Sequence, residues 1–146
     1  MRYKESQNKA PMEKMEILLV EDNAGDAVLM RQILADASVP VNLHIVRDGE
    51  QALTMLSDAD FQPALIILDL NIPRISGSVL LERWRAQQTP VVVFSSSLND
   101  AERARVMELG AREFVQKPTD VEEFGAAVCG IIERWAGHRN ENACSA

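Results

Sequence analysis

Short runs of aliphatic and β-branched residues recur along the chain at 17–20 (ILLV), 43–46 (LHIV), 64–68 (ALIIL), 91–94 (VVVF) and, more weakly, 113–115 (EFV). Each has the length of a strand, and between them the apolar positions change to helical spacing. Met30, Ile33, Leu34 and Ala37 line a first predicted helix, Ala52, Leu53 and Leu56 a second, and a third is expected over 78–87. The fourth, over 100–109, has only a narrow apolar face of Ala101, Ala104 and Met107, flanked by Glu102, Arg103, Arg105 and Glu108. A helix so weakly anchored is a natural moving part. The fifth is the clearest: Val121, Phe124, Val128, Ile131, Ile132 and Trp135 share one helical face, Asp120 or Thr119 can cap its start, and Gly137 can end it.

Five strands alternating with five helices imply right-handed βαβ crossovers, hence a doubly wound α/β fold with a parallel sheet between two helical layers. The near-continuous apolar character of LIIL and VVVF agrees, because central parallel strands are buried on both faces. A chain of 146 residues supports one core. The polar segment 1–15 reads as a flexible leader, 16–137 as the folded domain and 138–146 as a flexible tail. No repeat or low-complexity block interrupts this plan.

Composition narrows the function. Fifteen basic against twenty-two acidic residues give a net charge of -7, which disfavours nonspecific binding to nucleic-acid phosphates. No apolar run approaches the ~18 residues of a membrane span, and the leader lacks a signal-peptide core. Cys129 and Cys144 are too few for a disulfide framework or a zinc site and read as incidental thiols of a cytoplasmic protein.

In open α/β sheets the chemistry gathers at the carboxyl ends of the strands. The first strand ends in Glu21 and Asp22 (ILLVEDN) and the third in Asp69 (LIILDLN). If these strands are neighbours, up to three carboxylates crowd one small volume and require a cation or a shared proton. A hard divalent ion such as Mg²⁺, with Asp22, Asp69, a backbone carbonyl and several waters, meets that need, and Asn71 could offer the carbonyl. Beside such an ion Asp69 could act as a nucleophile toward phosphorus. A lone acid at a strand end is often merely solvated. The fourth strand, however, ends in Ser95 and the fifth is followed by Lys117 and Pro118, adding a hydroxyl and an ammonium at the same rim.

These residues resemble the receiver domain of two-component response regulators. The resemblance runs from about Glu16 to Trp135 on VEDN, LDLNIPRISG, VVVFSSS and GAREFVQKP. It implies a flavodoxin-like sheet in the order 2-1-3-4-5, as in the chemotaxis members of this family. It also implies phosphorylation of Asp69 by a sensor histidine kinase, Mg²⁺ held by Glu21, Asp22, Asp69 and the Asn71 carbonyl, and Lys117 paired with the acceptor, with a Lys117-Pro118 bond that is often cis in the family. Ser95 and Phe114 take the positions of the switching pair. The resemblance further implies a downstream protein partner, and the sequence after the fifth helix reads as lacking an output domain, as in a stand-alone receiver.

The AGDAVLM run after VEDN is similar to single-domain regulators that serve phytochrome-like kinases, a group that commonly forms homodimers through the fourth helix, fifth strand and fifth helix. Apolar residues outside the core stripe, such as Val121 or Cys129, would be needed for such a dimer. Two other readings use the same residues: a Mg²⁺-dependent phosphohydrolase or phosphotransferase with an aspartyl nucleophile, and a receiver-like adaptor that is never phosphorylated. The enzyme reading expects a second acid-base carboxylate soon after the nucleophile and a substrate cap. LNIPRISG supplies neither, so a switch rather than an enzyme is expected.

Overall fold

The computed structural model describes residues 14–84, 88–97 and 99–135. Its elements alternate in the expected order: β1 (Met15–Val20), α1 (Ala24–Asp36), β2 (Val41–Val46), α2 (Gly49–Leu56), β3 (Leu65–Leu68), α3 (Gly77–Arg83), β4 (Val91–Ser95), α4 (Asp100–Glu108), β5 (Glu113–Gln116) and α5 (Val121–Trp135). All strands are parallel, and the sheet order is β2-β1-β3-β4-β5. This is the flavodoxin-like order expected from the sequence. The predicted leader, tail and Gly137 helix end fall almost wholly on 1–13 and 136–146, outside the described residues, as do positions 85–87 of the third predicted helix.

Alternate residues of the central strands enter two separate cores. Leu18, Val20, Ile66, Leu68, Val91 and Val93 pack with Ala52, Leu80, Leu81 and Val106 of α2, α3 and α4. Ile17, Leu19, Leu65, Ile67, Val92 and Phe94 face Met30, Leu34, Phe124, Val128 and Ile131 of α1 and α5. Burial on both faces explains why these strands read as unbroken apolar runs. The Phe124, Val128 and Ile131 stripe is therefore core. Val121 is exposed, whereas Cys129 is buried. Cys129 is also disulfide-bonded, so it is not the incidental thiol suggested by the sequence.

Each helix starts on a side-chain cap. Asn23, Asp48, Ser76 and Asn99 accept from the backbone N–H three residues on, and Asp120 rather than Thr119 does so for α5. Such caps satisfy otherwise orphaned donors and contribute about 1 kcal/mol each.

The structure corrects the reading of α4. Ala101, Ala104 and Met107 are exposed, and the inward side is carried by Val106, with Glu102 half-buried and Leu109 buried just beyond the helix. The positions 102, 106 and 109 are one helical face. Small alanines gave the sequence pattern a false apolar stripe, while the one bulky β-branched residue set the true orientation. The helix remains thinly anchored. The other differences are small: β1 starts at Met15 and β2 at Val41, each two residues early, and β4 runs on to Ser95.

Candidate functional site

Strand register brings the polar strand ends together. Val20 pairs with Leu68, Leu68 with Val93, and Ser95 with Gln116, so Glu21, Asp69, Ser95 and Lys117 follow one rim of the sheet. Backbone bonds continue past the ladders: the Asp69 N–H donates to Val20 O at 3.0 Å, and the Lys117 N–H to Ser95 O at 2.8 Å. Each functional residue is thereby aimed by the rigid element before it. The loop after Asp69 is shaped by Gly77, whose added Cβ would lie 2.7 Å from Leu70, and by Arg74, held at φ 75° beside Pro73.

At the centre, Lys117 Nζ donates to Glu21 Oε1 at 2.7 Å, Asp26 Oδ2 at 2.8 Å and Asp69 Oδ2 at 2.9 Å. The side chains of Glu21, Asp69 and Lys117 are 2%, 8% and 8% exposed, which makes this a largely dry ion cluster. Asp69 Oδ1 accepts from the Asn71 N–H at 3.0 Å, and Glu21 Oε2 from the Asn23 N–H at 3.1 Å.

Burial pushes the Glu21 carboxyl up, and the adjacent Asp69 adds to this against the opposing pull of Lys117, so Glu21 titrates at about 7. Burial acts upward on Asp69 too. There the hydrogen bonds with Glu21, the Asn71 N–H and Lys117 outweigh it and hold the carboxyl below its usual range. For Lys117, burial works against the charge, but the bonds from Asp26, Glu21 and Asp69 prevail and hold the ammonium above its ordinary range. Asp69 is thus the carboxylate kept ionised, as a nucleophile needs to be.

The other residues singled out in the sequence sit around this centre. Asp22 is half-exposed at the rim; its backbone carbonyl accepts from Arg47 at 3.2 Å, and its carboxylate lies 3.9 Å from the same guanidinium. Asn71 is exposed on the loop after β3. Ser95 is fully buried at the end of β4, and the Ser97 N–H points at its Oγ from 3.4 Å. Ser97 Oγ in turn donates to Glu102 of α4. Phe114 is buried, with the Arg103 guanidinium of α4 lying 5.0 Å from its ring centroid. No peptide bond among the described residues is cis, so Lys117-Pro118 is trans, the lower-energy form.

Asp26 was not foreseen as a site residue. It lies in the first turn of α1, where acids are common because of the helix dipole, and nothing in its spacing marks it for Lys117.

The donor set suits a divalent cation. Three carboxylates share one ammonium, and Asp22 adds a fourth acid at the rim. No three His, Cys, Asp or Glu side chains among the described residues form a ready-made cage. A cation that keeps several waters does not need one.

A buried aspartate paired with a lysine thus lies at the carboxyl edge of a 2-1-3-4-5 sheet. The chain belongs to the response regulator receiver domain family, whose model matches residues 17–129. It is 31% identical over 129 residues to the transcriptional regulatory protein CpxR of Escherichia coli, a match covering 86% of this chain and 53% of CpxR. The chain thus spans about half the length of that relative. It is 30% identical over 128 residues to the response regulator Rcp1 of Synechocystis, covering 82% of this chain and 87% of Rcp1. Among solved structures, phosphorylated RcpA, a cyanobacterial phytochrome response regulator, superposes with a TM-score of 0.78 at 32% identity, covering 85% of this chain and 95% of that one. The Mn²⁺-bound form of Rcp1 gives 0.77 at 29% identity, covering 86% and 97%.

Proposed function

We propose that the protein is a phosphorylation-driven switch that accepts a phosphoryl group on Asp69 from a sensor histidine kinase and passes the signal to a protein partner. The observation carrying this reading is the 2.9 Å contact between Lys117 Nζ and Asp69 Oδ2 inside a buried acidic cluster. An ionised, oriented carboxylate can attack phosphorus, and the ammonium beside it balances charge gathering on the phosphoryl oxygens. Mg²⁺ is the cation we assign, and Glu21, Asp22, Asp69 and the Asn71 carbonyl would hold it. When bound, it neutralises the incoming phosphoryl oxygens and orients them. The likeness to Mn²⁺-bound Rcp1 supports a divalent ion here.

Once Asp69 carries a dianion, Ser95 Oγ is the donor on the adjacent strand that can turn toward it. Ser97, bonded to both Ser95 and Glu102, would transmit that movement to α4, and Phe114 under Arg103 would move with it. Thin anchoring of α4 keeps the cost of rearrangement low.

The likeness to RcpA supports a phytochrome-type sensor kinase as the donor. The exposed Val121 and Met107 supply apolar contacts for a homodimer through α4, β5 and α5. We take 16–137 as the switching unit. None of the described helices is long and apolar enough to cross a membrane, and we assign the protein to the cytoplasm as the compartment in which an ATP-using kinase would phosphorylate it.

The test is incubation with acetyl phosphate and Mg²⁺, followed by intact-mass measurement. A switch gains one labile phosphoryl group. Sustained hydrolysis of an added phosphoester with no adduct would instead favour an aspartyl-nucleophile phosphohydrolase, and inertness in both assays an adaptor.

A further inference from the structure

We propose that Asp26 is a positioning residue for Lys117, fixing its ammonium beside the Asp69 carboxylate; this rests on Asp69 being the acceptor. A lysine ammonium has three N–H donors. Here they are directed to Glu21 Oε1, Asp26 Oδ2 and Asp69 Oδ2 at 2.7, 2.8 and 2.9 Å. Phosphorylation replaces the Asp69 carboxylate charge with that of a phosphoryl dianion, so the Asp69 contact is the one of the three that the event directly alters. The other two contacts can persist through the event. Of these, Glu21 belongs to the proposed cation set, which leaves Asp26 as the carboxylate that, among the described residues, pairs with Lys117 alone.

The local fold is built to present Asp26 to the ammonium. Glu21 Oε2 accepts from the Asn23 N–H at 3.1 Å, and Asn23 Oδ1 accepts from the Asp26 N–H at 3.0 Å. A run of bonds through Asn23 therefore ties the Glu21 carboxylate to the backbone of Asp26 at the start of α1. An acid in a first turn gains from the helix dipole alone, but Asp26 sends Oδ2 to a lysine 91 residues away. A long lysine side chain is otherwise free to sample many rotamers. Two fixed anchors confine it so that one N–H remains directed at Asp69, and the orientation is set before the phosphodonor arrives.

The full chain, with saturating Mg²⁺ and acetyl phosphate, is followed by intact mass for the unaltered protein, Asp26→Ala, Lys117→Ala and the double variant. Asp26→Ala should form the Asp69 adduct about tenfold more slowly, the effect of one lost charge-assisted hydrogen bond. In the Lys117→Ala background the same substitution should change the rate less than about twofold, because Asp26 acts only through Lys117. Asp26→Asn, which keeps the shape and one acceptor oxygen, should fall between the unaltered chain and Asp26→Ala, and covers the case in which alanine impairs folding. The slowly exchanging ¹⁵N ammonium signal of Lys117 should be visible in the unaltered protein and lost in Asp26→Ala. Unchanged rates for both Asp26 variants, or equal slowing with and without Lys117, would overturn the inference while leaving Asp69 as acceptor. No adduct on the unaltered chain would remove the acceptor reading, and this inference with it.

Discussion

Lys117 Nζ lies 2.9 Å from Asp69 Oδ2 and 2.7 Å from Glu21 Oε1, so a single buried ammonium bridges two carboxylates that arrive from different strands. The residues are 48 and 96 positions from Lys117 in sequence, and the contact exists only because β3 lies between β1 and β4. It joins the sheet order directly to the chemistry.

Removing that ammonium leaves three acids facing one another. Lys117→Ala is expected to lose about 3 kcal/mol of stability at pH 8, the usual result of stripping one partner from a buried ion pair. At pH 5, where Glu21 takes up a proton, the loss should be smaller. Urea unfolding at the two pH values checks this, and an equal loss at both would mean that charge repulsion is not the cause.

The pH dependence of the metal-free protein follows from Glu21. Its folded pKa of about 7 lies above the ordinary 4.5. The folded state therefore holds the proton more tightly than the unfolded chain. That contribution is complete below about pH 4.5 and is lost as pH rises through about 7, on the order of 3 kcal/mol in all. Asp69 works the other way: held below its usual range, it stabilises above its unfolded value and loses that effect as pH falls through its folded one. In chelator, Tm should drop between pH 5 and 8, and Glu21→Gln should flatten the slope. Added Mg²⁺ should also flatten it by favouring the ionised form.

Gly49 opens α2 directly under the acceptor loop. A Cβ there would lie 2.6 Å from both Ile75 Cβ and Ile75 O. Gly49→Ala should therefore cost about 1–3 kcal/mol through overpacking. Urea unfolding measures the loss; a neutral substitution would show that α2 and the loop can separate freely.

Ser95→Ala separates phosphorylation from its consequence. The adduct on Asp69 should still form, but the phosphorylation-dependent change in amide exchange over α4 should disappear. The substitution also removes the acceptor for the Ser97 N–H, a loss of about 1 kcal/mol at most for so long a contact. A full α4 response in this variant would assign the switch to a different residue.

The sheet and its polar rim were legible in the sequence because their signals are strong. LIIL and VVVF matched strands buried on both faces, and Asp69 stood alone at the end of one of them. Asp22 and Asn71 were placed at the rim, where the structure also puts them, although Asp22 turns toward Arg47. The orientation of α4 was not legible, since alanine is tolerated on either side of a helix and only Val106 defines the inward face. Asp26 was hidden for another reason. Its role depends on a tertiary contact, and its local position offers an ordinary explanation for an acid.

The most direct measurement is chemical mapping of the phosphorylated protein. After reaction with acetyl phosphate and Mg²⁺, borohydride reduces an aspartyl phosphate to homoserine, and peptide mass spectrometry locates it. The account predicts homoserine at position 69, with none in Asp69→Asn. Homoserine at another aspartate, or a phosphoryl adduct that persists in Asp69→Asn, would contradict it.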